Sequence, residues 1–207
     1  MHLYFDLDGT LFETKPVITA TVRAFLSQTG RPYPGDEAVL SFVGRPMDVF
    51  MRGITGAPSV SEEEVGLFCA IEFDLVRKTG RLFDGTESAL RALKEDGHAL
   101  YVLSNGYIDY IEVVLQSTGA RGLFDAIYTA TYSPSKAHRL REVLPPGASA
   151  AFIGDTVDDL LAARQNSLPH IAARYGYGGA DAFDAASYLA ASPRDIPAIV
   201  RRLCARP

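Results

Sequence analysis

His2-Leu3-Tyr4-Phe5-Asp6-Leu7-Asp8-Gly9-Thr10-Leu11 decides how this chain folds. A short apolar run leads straight into two carboxylates one residue apart, then a glycine and a threonine. Residues 2–6 read as a buried strand, and acids are almost never left in such a place without a partner. Asp6 and Asp8 therefore belong at the tip of a strand, which in an open α/β sheet is where ligands bind. A turn of the Asp-Gly-Thr kind also fits part of the pattern. It leaves Asp6, which follows Phe5 with no turn residue between, without an explanation.

Two regimes follow. From Glu13 to about Gly80 apolar residues recur at helical spacing: Val17, Ala20, Ala24 with Val22 and Phe25, then Val39, Leu40 and Val43. Asp36 reads as the cap of the second of these helices. Pro46 suits the first turn of a third helix through Phe50. Ser61 with Glu64 three residues on marks a helix start of the capping-box kind, running toward Gly80. After Gly80 strands and helices alternate. Strands are expected at 99–103, 126–130, 150–154, 170–173 and 188–190, with helices between them and a last helix over 196–203. Unbroken apolar strands alternating with helices imply parallel βαβ units. The expected fold is α/β, a doubly wound parallel sheet with a small all-helical segment inserted after the first strand. The expected division is a core of residues 1–13 and 83–207 and an insertion of residues 14–82.

Of 207 residues 47% are apolar and 22% charged, with a net charge of −5. That balance gives no broad basic surface for nucleic acid or anionic lipid. No run approaches the ~18 apolar residues of a membrane span, and the start shows no signal-peptide pattern. Cys69 and Cys204 match no metal or redox spacing and read as reduced, packed thiols of a cytoplasmic protein. A monomer or weak homodimer is expected. The motifs of nucleotide-binding loops, dinucleotide folds, serine hydrolases and zinc proteases are absent from the sequence.

Three further clusters follow strands. Ser104-Asn105-Gly106 fits an anion site at a helix start, and equally an ordinary cap by Ser or Asn. Lys136 opens a helix, where the dipole disfavours a cation unless an anion lies opposite. Asp155 stands on a strand tip beside Gly154 as a candidate third carboxylate for a metal shared with the first pair. Asp158 and Asp159 also suit the first turn of a helix capped by Thr156.

In this order the four clusters resemble the haloacid dehalogenase superfamily of phosphohydrolases over essentially the whole chain. Phe5-Asp6-Leu7-Asp8-Gly9-Thr10-Leu11 matches its first motif. Leu103-Ser104-Asn105-Gly106 is similar to the second, Lys136 to the third, and Gly154-Asp155-Thr156-Val157-Asp158-Asp159 to the fourth. The Gly176-Tyr177-Gly178 loop resembles that of phosphoglycolate-phosphatase-like members. The sequence departs from many relatives at Phe12-Glu13-Thr14, at Ala137 after Lys136, and in the extra acid Asp158. The resemblance implies a Rossmann-like core with a helical cap and a Mg²⁺-dependent phosphatase of a small, phosphoglycolate-like phosphate monoester. It implies Asp6 as nucleophile forming an aspartyl-phosphate and Asp8 as general acid and base. Mg²⁺ would be held by Asp6, the backbone carbonyl of Asp8, and Asp155, with Asp159 orienting the metal shell. Ser104, Asn105, Thr10 and Lys136 would hold the phosphoryl group. Arg45, in the Gly44-Arg45-Pro46 break, is the candidate contact to the far end of the substrate, where it would suit a second anionic group such as a carboxylate; it equally fits an exposed Arg before a helix-starting Pro. A β-phosphoglucomutase-like phosphomutase and a non-catalytic, phosphate-accepting module remain as alternatives.

Overall fold

A computed structural model describes residues 1–205. β1 (His2–Phe5) enters the insertion: α1 (Thr14–Gln28), α2 (Asp36–Leu40), α3 (Met47–Thr55) and α4 (Glu62–Thr79). The chain returns as α5 (Thr86–Glu95), β2 (Ala99–Ser104), α6 (Ile108–Ser117), β3 (Ala126–Thr129), α7 (Lys136–Val143), β4 (Ala150–Gly154), α8 (Val157–Gln165) and β5 (His170–Ala173). It ends with α9 (Ala180–Phe183), β6 (Tyr188–Ala190) and α10 (Ile196–Cys204). The six strands form one parallel sheet in the order β3-β2-β1-β4-β5-β6. The strand order reverses at β1. The tips of β1, β2 and β4 therefore share one end of the sheet at its switch point.

Alternation along β1 sorts its side chains between two layers. Leu3 and Phe5 pack with Leu90, Leu93, Ile111 and Val114 on one face. Tyr4 faces the other way, onto Phe152, Ala137, Leu140 and Ala163. A third core, built from Ile18, Val22, Phe25, Phe50, Ile54 and Phe68, belongs to the insertion alone. The two chain crossings lie side by side. Glu13 donates its amide to the Arg81 carbonyl at 3.0 Å, and Phe83 donates to the Leu11 carbonyl at 3.0 Å.

Some local expectations shift. α3 runs on to Thr55, because Met51 and Ile54 extend its buried stripe, and Pro46 is its N-cap residue. α2 starts at Asp36 itself, after Gly35. Ser61 and Glu64 form the capping box of α4. Cys69 is half-buried, but Cys204 is exposed at the end of α10. No helix among the described residues is long and apolar enough to cross a membrane.

Candidate active site

The strand β1 stops at Phe5, but its ladder continues for one bond, from the Asp6 amide to the Ile153 carbonyl at 2.9 Å. Asp6 therefore keeps the direction of Tyr4 and points toward the α7/α8 layer. Alternation alone would send Asp8 the same way. Instead the chain turns at Leu7, whose carbonyl accepts the amides of Leu11 and Phe12 at 2.9 Å each. The Asp8 carboxylate thereby leaves the other acid. It accepts hydrogen bonds from Thr14 Oγ1 at 2.7 Å and from the Tyr110 hydroxyl at 2.6 Å. One turn gives two adjacent acids different surroundings.

Around Asp6 lies a closed ionic cluster. Lys136 Nζ donates to Asp6 Oδ1 at 2.8 Å and to Asp159 Oδ1 at 2.6 Å. Lys136 stands at the start of α7, where the helix dipole opposes it; the two carboxylates more than offset that. Their charges hold the ammonium protonated far above its ordinary range, against the effect of burial. Asp159 also serves its own helix, accepting at Oδ2 from the Thr156 amide at 2.9 Å and hydroxyl at 2.7 Å. Asp155 is tied from two sides. Thr10 Oγ1 donates to its Oδ1 at 3.2 Å, and the amides of Tyr177 and Gly178 donate to Oδ2 at 2.7 and 3.2 Å. The sequence placed Thr10 at the phosphate, and its hydroxyl is directed at this acid.

Glycines make the close approaches possible. Gly9 sits at φ +80°, and a Cβ there would run into the Asp155 carboxylate. A Cβ at Gly178 would collide with the Asp155 carbonyl.

Asp6, Asp155 and Asp159 each offer an oxygen within 4.8 Å of the others, and all three are buried. Three carboxylates face one lysine. Burial, then the neighbouring Asp159, pushes Asp155 up to about 7. Asp6 is likewise raised well above the carboxylate range by burial, with Lys136 pulling the other way. Asp6 Oδ2 is buried and has no hydrogen-bond partner. An orphaned carboxylate oxygen in an all-oxygen cluster with surplus negative charge fits a hard divalent cation.

The tip of β2 supplies the second cluster. Ser104 Oγ accepts the Gly106 amide at 3.1 Å. Neither Ser104 nor Asn105 caps α6; its N-cap residue is Tyr107, with no side-chain cap. Asn105 Nδ2 instead donates to the Gly44 carbonyl at 2.7 Å, pinning the insertion over the sheet tips. Thr131 Oγ1 donates to the Asn105 carbonyl at 2.9 Å and Thr129 Oγ1 to that of Gly106 at 2.7 Å, which fixes this loop from behind.

Beyond Asp8 opens a small cavity of ≈ 60 Å³. Asp8, Asn105 and Tyr110 line its sheet side, and Thr14, Ile18, Phe50, Phe68 and Glu72 the insertion side. Arg45 is exposed and borders both this cavity and a second opening beside Asp155 and Gly178. The structure thus gathers Asp6, Lys136, Asp155, Asp159 and Thr10 around one point. Asp8 and Asn105 line the adjoining cavity, and Arg45 stands at its rim. Thr14, Tyr110 and Glu72 carry no sequence motif and emerge only here.

The profile of the haloacid dehalogenase-like hydrolases matches residues 2–166. The chain belongs to that family. It is 30% identical over 193 residues to a phosphoglycolate phosphatase of Psychrobacter arcticus, covering 84% of each chain. It is 30% identical over 192 residues to a 5′-nucleotidase of Pseudomonas aeruginosa, covering 87% of this chain and 85% of that one. Its fold matches the crystal structure of a predicted phosphoglycolate phosphatase from Haemophilus somnus, with TM-score 0.82, 22% identity and 96% of both chains covered. The family member described here is a hydrolase of the phosphatase kind, similar to the phosphoglycolate phosphatases.

Proposed function

We propose that the protein is a Mg²⁺-dependent phosphatase of a small phosphorylated metabolite, acting through an aspartyl-phosphate on Asp6. The observation that carries this is the orphaned Asp6 Oδ2 at the centre of a buried oxygen cluster with a lysine beside it. Asp6, the Asp8 backbone carbonyl and Asp155 would hold the cation, with Asp159 orienting its shell. Bound there, it would offset the repulsion between a carboxylate and a phosphate dianion.

The chain's own residues divide the remaining work. Asp6 attacks phosphorus as the bond to the alcohol oxygen breaks. Lys136 draws charge from the phosphoryl oxygens, with Ser104 and the amide of Asn105 as further donors. Asp8 gives its proton to the departing alkoxide and later takes one from the water that attacks phosphorus and frees Asp6. Burial raises the Asp8 carboxyl against the pull of its Tyr110 and Thr14 hydrogen bonds, which favours a group that carries a proton to deliver. Residues 14–82 serve as the cap and residues 1–13 and 83–207 as the core. The crossings at Glu13–Lys15 and Leu82–Gly85 are the hinges by which Asp6, now buried, is reached. Two free thiols suit a reducing cytoplasm.

Phosphate release from a panel of monoesters with Mg²⁺ tests the reading. Release is expected, abolished by chelation and reduced on the order of 10⁴-fold or more by Asp6→Asn. Unchanged release in that variant removes Asp6 as nucleophile. Isomerised sugar phosphate without free phosphate would mark a mutase, and no turnover of any ester would leave a phosphate-accepting module.

A further inference from the structure

Glu72 is the one acid of the insertion that is buried among the described residues, at 5% exposure. On α4 it stands at i+4 from Phe68 and i−4 from Val76, in the middle of the stripe that the helix buries. Its carboxyl has neither a hydrogen bond nor an ion pair among the described residues, and it lines the cavity beyond Asp8. Its neighbours there include Phe68, Phe50 and Ile18. A buried polar group without a partner costs free energy that an apolar residue in the same stripe would avoid. Among the described residues no cation is buried with it. Lys136 is committed to Asp6 and Asp159, and Arg45 is exposed at the rim. Its place is on the leaving-group side, since Asp8, which the proposed reaction makes the proton donor to the alcohol, lines the same cavity.

We propose that Glu72 is a specificity-determining residue, and that it accepts a hydrogen bond from an ammonium or hydroxyl carried by the leaving alcohol on an apolar carbon frame. This rests on the phosphatase reading and names the substrate class for it. The cavity brings two acids, Asp8 and Glu72, to the alcohol and one exposed cation to its mouth. A carboxylate-bearing alcohol would set a third acid against these two in a space with little water to screen them. An ammonium would supply the missing cation, and a hydroxyl the missing donor. Burial, reinforced by Asp8, raises the Glu72 carboxyl above the ordinary carboxylate range, so a further anion in this cavity is disfavoured.

The test compares kcat/KM with Mg²⁺ for four esters of similar size: phosphoethanolamine, glycerol 1-phosphate, propyl phosphate and 2-phosphoglycolate. In the wild-type protein the first two are expected to exceed propyl phosphate by about tenfold or more, with 2-phosphoglycolate lowest. Glu72→Gln, of nearly the same shape, is expected to keep the glycerol 1-phosphate to propyl phosphate ratio within about threefold while the phosphoethanolamine advantage is lost. Glu72→Leu is expected to remove both advantages and leave propyl phosphate preferred. Ratios within each variant cancel any loss of folded protein. If 2-phosphoglycolate leads in the wild type, or if the ratios are the same in all three proteins, Glu72 does not select the substrate although the phosphatase reading stands. Absence of phosphate release from every ester, p-nitrophenyl phosphate included, overturns both.

Discussion

The acids at the sheet tips and the acid of the insertion are buried to a similar degree but in opposite circumstances. Asp155 and Asp159 each accept several hydrogen bonds, and Asp6 is paired through one oxygen to Lys136. Glu72 has none. The sheet holds its carboxylates with elements that are themselves fixed by long-range pairing: two strand tips, a helix start and a glycine loop. The insertion leaves its carboxyl facing a cavity. Reaction chemistry shared by many substrates calls for groups in place before anything binds. Discrimination between substrates calls for groups whose partner is the substrate itself. The contrast is between a cross-linked cluster that leaves one oxygen of Asp6 open and an acid that no side chain of the described residues engages, and under the proposed function it separates these two tasks.

The sharpest way to break the sheet-tip cluster is Lys136→Met. The apolar side chain keeps the volume but leaves Asp6 and Asp159 facing each other in a site with 2% and 0% exposure. Removing one partner of a buried ion pair costs about 3–5 kcal/mol. The loss of a phosphoryl donor is expected to lower kcat by a further ~10²–10³-fold in the folded fraction. Chemical denaturation and steady-state phosphate release read the two effects separately. A variant as stable as the wild type would mean that the cluster is less interdependent than its hydrogen bonds indicate.

The extent to which the sequence disclosed these regions follows the same contrast. The sheet was legible because its strands are short, mainly apolar runs between helices, most plainly Ala150–Gly154 followed by Asp155. Lys136 was legible because a cation at a helix start is locally unfavourable and so points to a distant anion. Thr14 and Tyr110 were not legible. Tyr110 reaches Asp8 across 102 residues of sequence, and on its own helix it looks like another member of the apolar face. Ser104 and Asn105 looked like caps because a strand-to-helix loop offers the same residue types for either use, and the bond from Asn105 to Gly44 depends on how the insertion folds back. Glu72 left a signal that goes unnoticed when only apolar residues are tallied: an acid at the centre of a buried helical stripe.

A smaller effect comes from pH and metal. In the folded protein the Asp155 carboxyl is pushed up to about 7, while an unfolded chain titrates it near 3.9. Between these values Asp155 binds its proton in the folded state and not in the unfolded one, so without metal its contribution to stability is greatest at low pH and falls as pH rises from about 4 to 7. The cation favours the ionised form and reverses that loss. Mg²⁺ at about 100 times its dissociation constant is expected to raise the unfolding midpoint by ~5–10 °C at pH 8 and by less at pH 5. Thermal melts with chelator and with Mg²⁺ at both pH values check this. An equal shift at pH 5 and pH 8 would show that Asp155 does not carry the linkage.

The smallest effect concerns a residue that touches both regions. Tyr177 gives its amide to Asp155, and its hydroxyl accepts the Lys15 amide of the first turn of α1 at 2.8 Å. Tyr177→Phe removes only the second contact. It exposes one amide at a helix start that water can reach, so the expected loss is about 0.5–1.5 kcal/mol, read as a fall of a few degrees in the melting midpoint. Mg²⁺ affinity should not move, because Asp155 is held by the backbone of residues 177 and 178 and not by the ring. Titration of Mg²⁺ into the variant by calorimetry separates the outcomes. A tenfold or greater loss of affinity, worth about 1.4 kcal/mol, would mean that α1 and the metal cluster move together. The division between a cross-linked sheet tip and an open insertion would then be one of geometry alone and not of energetics.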